Sequence, residues 1–116
     1  MNIKDYQKRA HVTAIYPTDK SSLSPSQIYA LMSTGGEVGE LLNLCKKTLR
    51  GDFGENPANN VEFMDRLVKE LGGIFWYLAE ISTVFDLNLD SIAEQNLELL
   101  ADRAKRNVIK GSGDDR

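Results

Sequence analysis

Apolar residues recur at intervals of three and four along most of the chain, in four stretches separated by proline, glycine and clustered polar residues. No stretch alternates with the period of two that a half-buried strand requires, so the pattern predicts an all-α chain of four helices. In the first stretch, residues 3–15, Ile3, Tyr6, Ala10 and Ala14 stand near helical spacing, and Pro17 with the polar run 18–24 ends it. The second opens on Ser24-Pro25-Ser26-Gln27. Ser24 can accept from the free amides of the first turn, Pro25 suits the first helical position, and Gln27 completes a capping box. This helix runs to about Arg50 and stops at Gly51. A loop over residues 52–58 leads to Asn59, and Glu62 three positions on marks the start of the third helix, which reaches about Phe85. Asn88 caps the fourth, which carries Ile92, Leu97 and Leu100 to about Arg106, and residues 107–116 read as an irregular tail.

A helix turns by about 100° per residue, which assigns positions to faces. On the second helix Glu40, Leu41 and Leu44 fall within about 60° of Glu37. Ile28, Leu31, Val38, Leu42, Cys45 and Leu49 form a broad apolar arc, and Asn43, Lys47 and Arg50 share the polar remainder. On the third helix Phe63, Leu67, Ile74, Tyr77 and Ile81 lie within about 40° of Glu70, so this carboxylate interrupts an apolar stripe. A desolvated carboxylate without a partner costs several kcal/mol or takes up a proton. Three glutamates converging from two helices also repel one another. A divalent cation cancels that repulsion, and magnesium favours a few carboxylates while leaving room for water and phosphate oxygens. Buried salt bridges to Lys46, Arg66 or Arg103 are the competing way to satisfy the same charges. A di-iron centre would need Glu-x-x-His pairs, whereas the single histidine, His11, reads as a partly exposed helical residue.

Composition narrows the picture further. A chain of 116 residues with 41% apolar and 27% charged residues fits one domain spanning residues 1–116. Its core is modest, so a bundle completed by oligomerisation, as a homodimer or a homotetramer, is expected. Phe75 and Trp76 lie off the Glu70 stripe and read as core or subunit packing rather than base stacking. The net charge of −3 gives no broad attraction to a nucleic-acid polymer or an anionic membrane. No apolar run approaches the ~20 residues of a membrane span, and the reading is cytoplasmic. Cys45, the only cysteine, permits neither an internal disulfide nor a cysteine zinc site and reads as core filler.

Two segments carry a family resemblance: Gly36-Glu37-Val38-Gly39-Glu40-Leu41, and Lys69-Glu70-Leu71-Gly72-Gly73-Ile74-Phe75-Trp76-Tyr77-Leu78-Ala79. With Tyr6-Gln7, Tyr16-Pro17, Asn96-Leu97, Arg103 and the tail through Gly111-Ser112-Gly113-Asp114 to Arg116, the chain resembles the short single-domain branch of the MazG-like all-α nucleoside triphosphate pyrophosphohydrolases. The resemblance implies a four-helix MazG-like fold and a magnesium-dependent enzyme, with manganese as a possible substitute. Such an enzyme cleaves a nucleoside triphosphate between the α- and β-phosphates, giving nucleoside monophosphate and pyrophosphate. It implies Glu37, Glu40 and Glu70 as metal ligands, one of which also orients or deprotonates the attacking water. Lys46, Lys47, Arg103, Arg106 and Lys110 are then candidates for holding phosphate oxygens, and Tyr77 and Asn96 for other contacts with substrate. One position departs from the pattern: the family's second motif is E-x-x-D, and Gly73 stands where the aspartate ligand would be. Two adjacent glycines inside a helix cost roughly 1 kcal/mol each relative to alanine, so Gly73 is not a neutral structural choice.

Overall fold

The computed structural model describes residues 1–17 and 22–116, so part of the polar run expected over residues 18–24 lies outside the described residues. The described residues form four α-helices and no strand: α1 (Ile3–His11), α2 (Pro25–Leu49), α3 (Val61–Val84) and α4 (Leu89–Lys105), with a single 3₁₀ turn, Pro57–Asn59, before α3. None of these helices is long and apolar enough to cross a membrane.

Local chemistry sets the helix ends. At α2 the capping box is complete: the Gln27 amide donates to Ser24 Oγ at 3.2 Å and the Ser24 amide to Gln27 Oε1 at 2.9 Å. Asn88 accepts from the Ser91 amide at 2.9 Å and caps α4. Asn60 rather than Asn59 caps α3, accepting from the Phe63 amide at 2.9 Å, because residues 57–59 are already committed to the 3₁₀ turn. Helix α1 ends at His11, short of the expected residue 15. Thr13 Oγ1 donates to the Ala10 carbonyl at 2.8 Å, a local bond that competes with helix propagation, and α1 buries no residue that would hold a longer helix.

α2 and α3 pack along their length as an antiparallel hairpin. Gln27 Nε2 donates to the Val84 carbonyl at 3.1 Å at one end, and Leu44 shares a groove with Phe63 and Leu67 at the other. Phe53, in the connecting loop, is buried with its ring 5.4 Å from Phe63, edge to face, and the Arg66 guanidinium lies 5.8 Å over it. By contrast, α4 has only slight contact with α3. The four expected helices are present, but within one chain they do not close into a bundle. Among the described residues the buried apolar ones are Ala30, Leu44 and Phe53, and no side chain is completely enclosed. Cys45, expected as core filler, is exposed.

Candidate metal centre

The hairpin register brings the three glutamates together. Glu37 and Glu40 lie one turn apart on α2, and the antiparallel packing sets Glu70 of α3 opposite them. Each offers a carboxylate oxygen, and the three oxygens lie within 4.8 Å of one another. Opposite ligands of a magnesium ion are about 4.2 Å apart at bonds of about 2.1 Å, so small side-chain rotations gather all three. Glu37 and Glu70 are half-buried and Glu40 is exposed. Among the described residues none of the three forms an ion pair: Arg66 is bound to Glu62 at 2.6 Å, Arg50 to Asp52 at 2.6 Å and Arg106 to Asp102 at 2.7 Å. The competing arrangement, in which Lys46, Arg66 or Arg103 neutralises the glutamates, is therefore not the one adopted. An all-oxygen anionic donor set without a direct ion pair fits a hard divalent cation.

Electrostatics reflect the crowding. Partial burial holds the Glu70 carboxyl above its ordinary value of 4.5, reinforced by the charge of Glu40, hydrogen bonding with Glu40 and the charge of Glu37, while Lys47 pulls the other way. A carboxyl that keeps its proton to higher pH in the folded chain stabilises the fold fully below about 4.5, and that contribution is lost as pH rises through the folded value. Thermal melts of the metal-free protein are expected to show Glu70→Gln losing less Tm than wild type as pH rises above 4.5. Parallel Tm profiles for the two proteins would contradict this electrostatic reading.

Gly73 acquires a physical meaning here. A β-carbon built at position 73 would lie 2.8 Å from Glu37 Cδ and closer still to Oε2. The Glu37 carboxylate thus fills the space that a side chain at 73 would occupy. No other helical glycine meets a neighbour in this way.

Two clefts open beside the carboxylates. One, of about 250 Å³, is lined by Glu40, Asn43, Leu44, Lys47, Arg66 and Glu70. The other, of about 450 Å³, is shallower and adjoins Gly36, Gly39, Glu40, Asn43 and Lys46. Lys47 thus shares a cleft with Glu40 and Glu70, and Lys46 one with Glu40. Sequence reasoning missed Asn43 and Arg66 as site residues, although Asn43 at Glu40 + 3 and Arg66 at Glu70 − 4 share faces with these glutamates. About two turns further along α3, Ser26, Tyr29, Ala30, Trp76, Tyr77, Glu80 and Val84 line a cleft of about 250 Å³. Trp76 and Tyr77 meet edge to face with ring centroids 4.8 Å apart. Trp76 is half-exposed in the single chain and forms an aromatic wall with Tyr77, a wall that includes Tyr29 from the other helix.

The candidates on α4 and just after it line neither cleft beside the acidic cluster within one chain. Arg103 is buried; its Nη2 donates to the Asp114 carbonyl at 2.9 Å, and its Nε has no acceptor. Arg106 is engaged by Asp102 and by the Arg116 carbonyl, so the tail read as irregular is tied back onto α4. Lys110 lines a separate cleft with Ala104, Asn107 and Ile109, and Asn96 is exposed on α4.

No family model matches the chain, and no solved structure matches it. A relative from a bacteriophage, the Gene 37 protein of Mycobacterium phage L5, is 39% identical over 118 residues, an alignment that covers all of both chains. Identity at that level along the whole length implies a shared fold, and the chain belongs to the same family as this phage Gene 37 protein.

Proposed function

We propose that this chain is a magnesium-dependent nucleoside triphosphate pyrophosphohydrolase of the MazG-like type, acting in the cytoplasm on a free nucleotide. The observation that carries the proposal is the trio Glu37, Glu40 and Glu70, with ligand oxygens inside 4.8 Å and, among the described residues, no basic residue paired to them. A bound magnesium, or manganese in its place, would neutralise phosphate charge and lower the pKa of a coordinated water. The chain's own groups would do the rest. Lys47 and Arg66 border Glu40 and Glu70 in one cleft, and Lys46 borders the next, so cations stand ready for phosphate oxygens beside the ligands. One of the three glutamates would also orient the attacking water or take its proton. The bond between phosphorus and the bridging oxygen then breaks, and pyrophosphate leaves. Tyr77 lies about 10 Å along α3 from Glu70, a span comparable with a nucleotide, so the aromatic cleft is placed to receive a base.

Incubation with magnesium and a panel of common and modified nucleoside triphosphates is expected to release pyrophosphate from at least one of them. No release from any nucleotide would count against the proposal. Magnesium alone should raise Tm, since a ligand that binds only the folded state stabilises it, and the shift should vanish in Glu37→Gln/Glu40→Gln/Glu70→Gln. Gly73 favours one alternative reading, a family member that binds metal and nucleotide without turnover, because the position that would carry a fourth carboxylate has none. Under that reading magnesium raises Tm while pyrophosphate release stays at background. A purely structural hairpin would show neither effect.

A further inference from the structure

The aromatic cleft holds one acid. Glu80 lines it beside Tyr29, Trp76 and Tyr77 and is half-buried there. Among the described residues it has no hydrogen-bond or ion-pair partner, since the ion pairs are Arg50 with Asp52, Arg66 with Glu62 and Arg106 with Asp102. An ionised carboxylate has two oxygens that accept and no group that donates. A half-buried one with no donor beside it is therefore built for a ligand that brings donors of its own.

The cleft and the acidic cluster open on the same flank of the hairpin. Counted from Glu70, Arg66, Gly73, Glu80 and Trp76 lie about 40°, 60°, 80° and 120° round α3, all in one rotational sense. Counted from Glu37 in that same sense, Glu40, Lys47, Tyr29 and Asn43 lie about 60°, 80°, 80° and 120° round α2. In an antiparallel pair, equal rotations from the contact line turn to the same side. At a rise of about 1.5 Å per residue, Glu80 stands about 15 Å along α3 from Glu70 and about 4.5 Å beyond Tyr77. A base stacked on the rings of Tyr77 and Trp76, with its sugar toward Glu70, turns its Watson–Crick edge away from the phosphates and onto Glu80.

We propose that Glu80 selects guanine, so that the substrate is a guanine nucleoside triphosphate; this rests on the pyrophosphohydrolase reading and names its substrate. Guanine sets two donors side by side on that edge, N1–H and the N2 amino group, and one carboxylate accepts both. Adenine and cytosine set a single amino donor beside a ring nitrogen lone pair, which the second carboxylate oxygen repels. Thymine and uracil place one N–H between two carbonyl oxygens, which repel it as well. The same acid thus attracts one common base and rejects the other four.

Trp76, the only tryptophan of the chain, stands in the cleft wall, so its fluorescence reads a stacked base directly and without turnover. The probes are α,β-methylene deoxynucleoside triphosphates, whose scissile bridging oxygen is replaced by CH₂, titrated in the presence of magnesium. The guanine analogue is expected to quench Trp76 with a Kd at least about tenfold below those of the adenine, cytosine and thymine analogues. The hypoxanthine analogue keeps N1–H and lacks only the N2 amino group, and it should bind about tenfold more weakly than guanine. Glu80→Gln keeps one accepting oxygen and turns the other into an NH₂ donor, the pair of groups that matches the N6 amino group and N1 of adenine. It should weaken guanine about tenfold or more and strengthen adenine, a change of preference that a merely structural role would not produce. Should Glu80→Gln fail to fold, the guanine and hypoxanthine comparison on the wild-type chain decides. Equal Kd for those two analogues, or a Glu80→Gln effect shared equally by every base, would overturn this inference and leave the pyrophosphohydrolase reading standing. Binding of none of the analogues would overturn both.

Discussion

Glu70→Ala is expected to lower pyrophosphate release by about 10²–10³-fold while leaving the metal-free protein folded. Under the proposal Glu70 is the one ligand from α3 beside two from α2, so its loss would leave the cation held from one helix only. The usual objection, that removing a half-buried charge unfolds the protein, carries little weight at this position. Glu70 has no ion-pair partner among the described residues that its removal would strand, and in the metal-free state its charge is repelled by Glu40 and Glu37. The activity assay should therefore be paired with a melt in the absence of magnesium. Tm unchanged or raised, activity collapsed and the magnesium-dependent Tm shift gone are the three results expected together. Retained turnover would remove Glu70 from the site, and a drop in metal-free Tm of several degrees would make it a structural residue. Glu40→Ala should behave in the same way, although Glu40 is exposed and its effect on the metal-free Tm should be smaller.

Gly73→Ala is expected to move stability and function in opposite directions. Alanine inside α3 should stabilise the metal-free helix by about 1 kcal/mol relative to glycine. The same methyl would stand in the space now held by the Glu37 carboxylate, which must swing away. That carboxylate is the end of a flexible side chain, so the fold tolerates the change while one ligand leaves its place. Magnesium affinity is expected to fall about 10–100-fold while the metal-free Tm rises, readable from a calorimetric titration and a melt on one preparation. Unchanged affinity would mean that Glu37 binds metal from some other rotamer or not at all. Gly73→Asp is the informative partner. It displaces Glu37 in the same way but supplies a carboxylate of its own, so it should recover the affinity that alanine loses. If it also raised turnover above wild type, Gly73 would be limiting catalysis.

What could be read in the sequence was mostly what a single helix decides. Ser24 and Gln27 announce the start of α2 because both bonds of the capping box form within one turn. Glu70 on an apolar stripe was legible because its phase depends only on the turn per residue. The approach of Glu37 and Glu40 to Glu70 was legible as a shared inward direction, although the distance between them required the hairpin register. The displaced capping residue, Asn60 for Asn59, turned on a 3₁₀ turn that the Pro57 signal did not distinguish from an open loop. The occupancy of the Gly73 site by Glu37 was not legible, since it depends on the relation of two residues 36 positions apart on different helices. For the same reason the aromatic cleft was not legible: Tyr29, the companion of Trp76 and Tyr77 there, lies on the other helix.

The central claim is that Glu37, Glu40 and Glu70 hold one divalent cation between α2 and α3. Its most direct test is anomalous diffraction at the manganese edge from crystals grown with Mn²⁺ and a nucleoside triphosphate. The expected result is a peak about 2.2 Å from one oxygen of each of the three carboxylates, with phosphate oxygens completing the shell on the side of Lys47 and Arg66. A manganese peak elsewhere, or ordered nucleotide with the three glutamates free of metal, would contradict it.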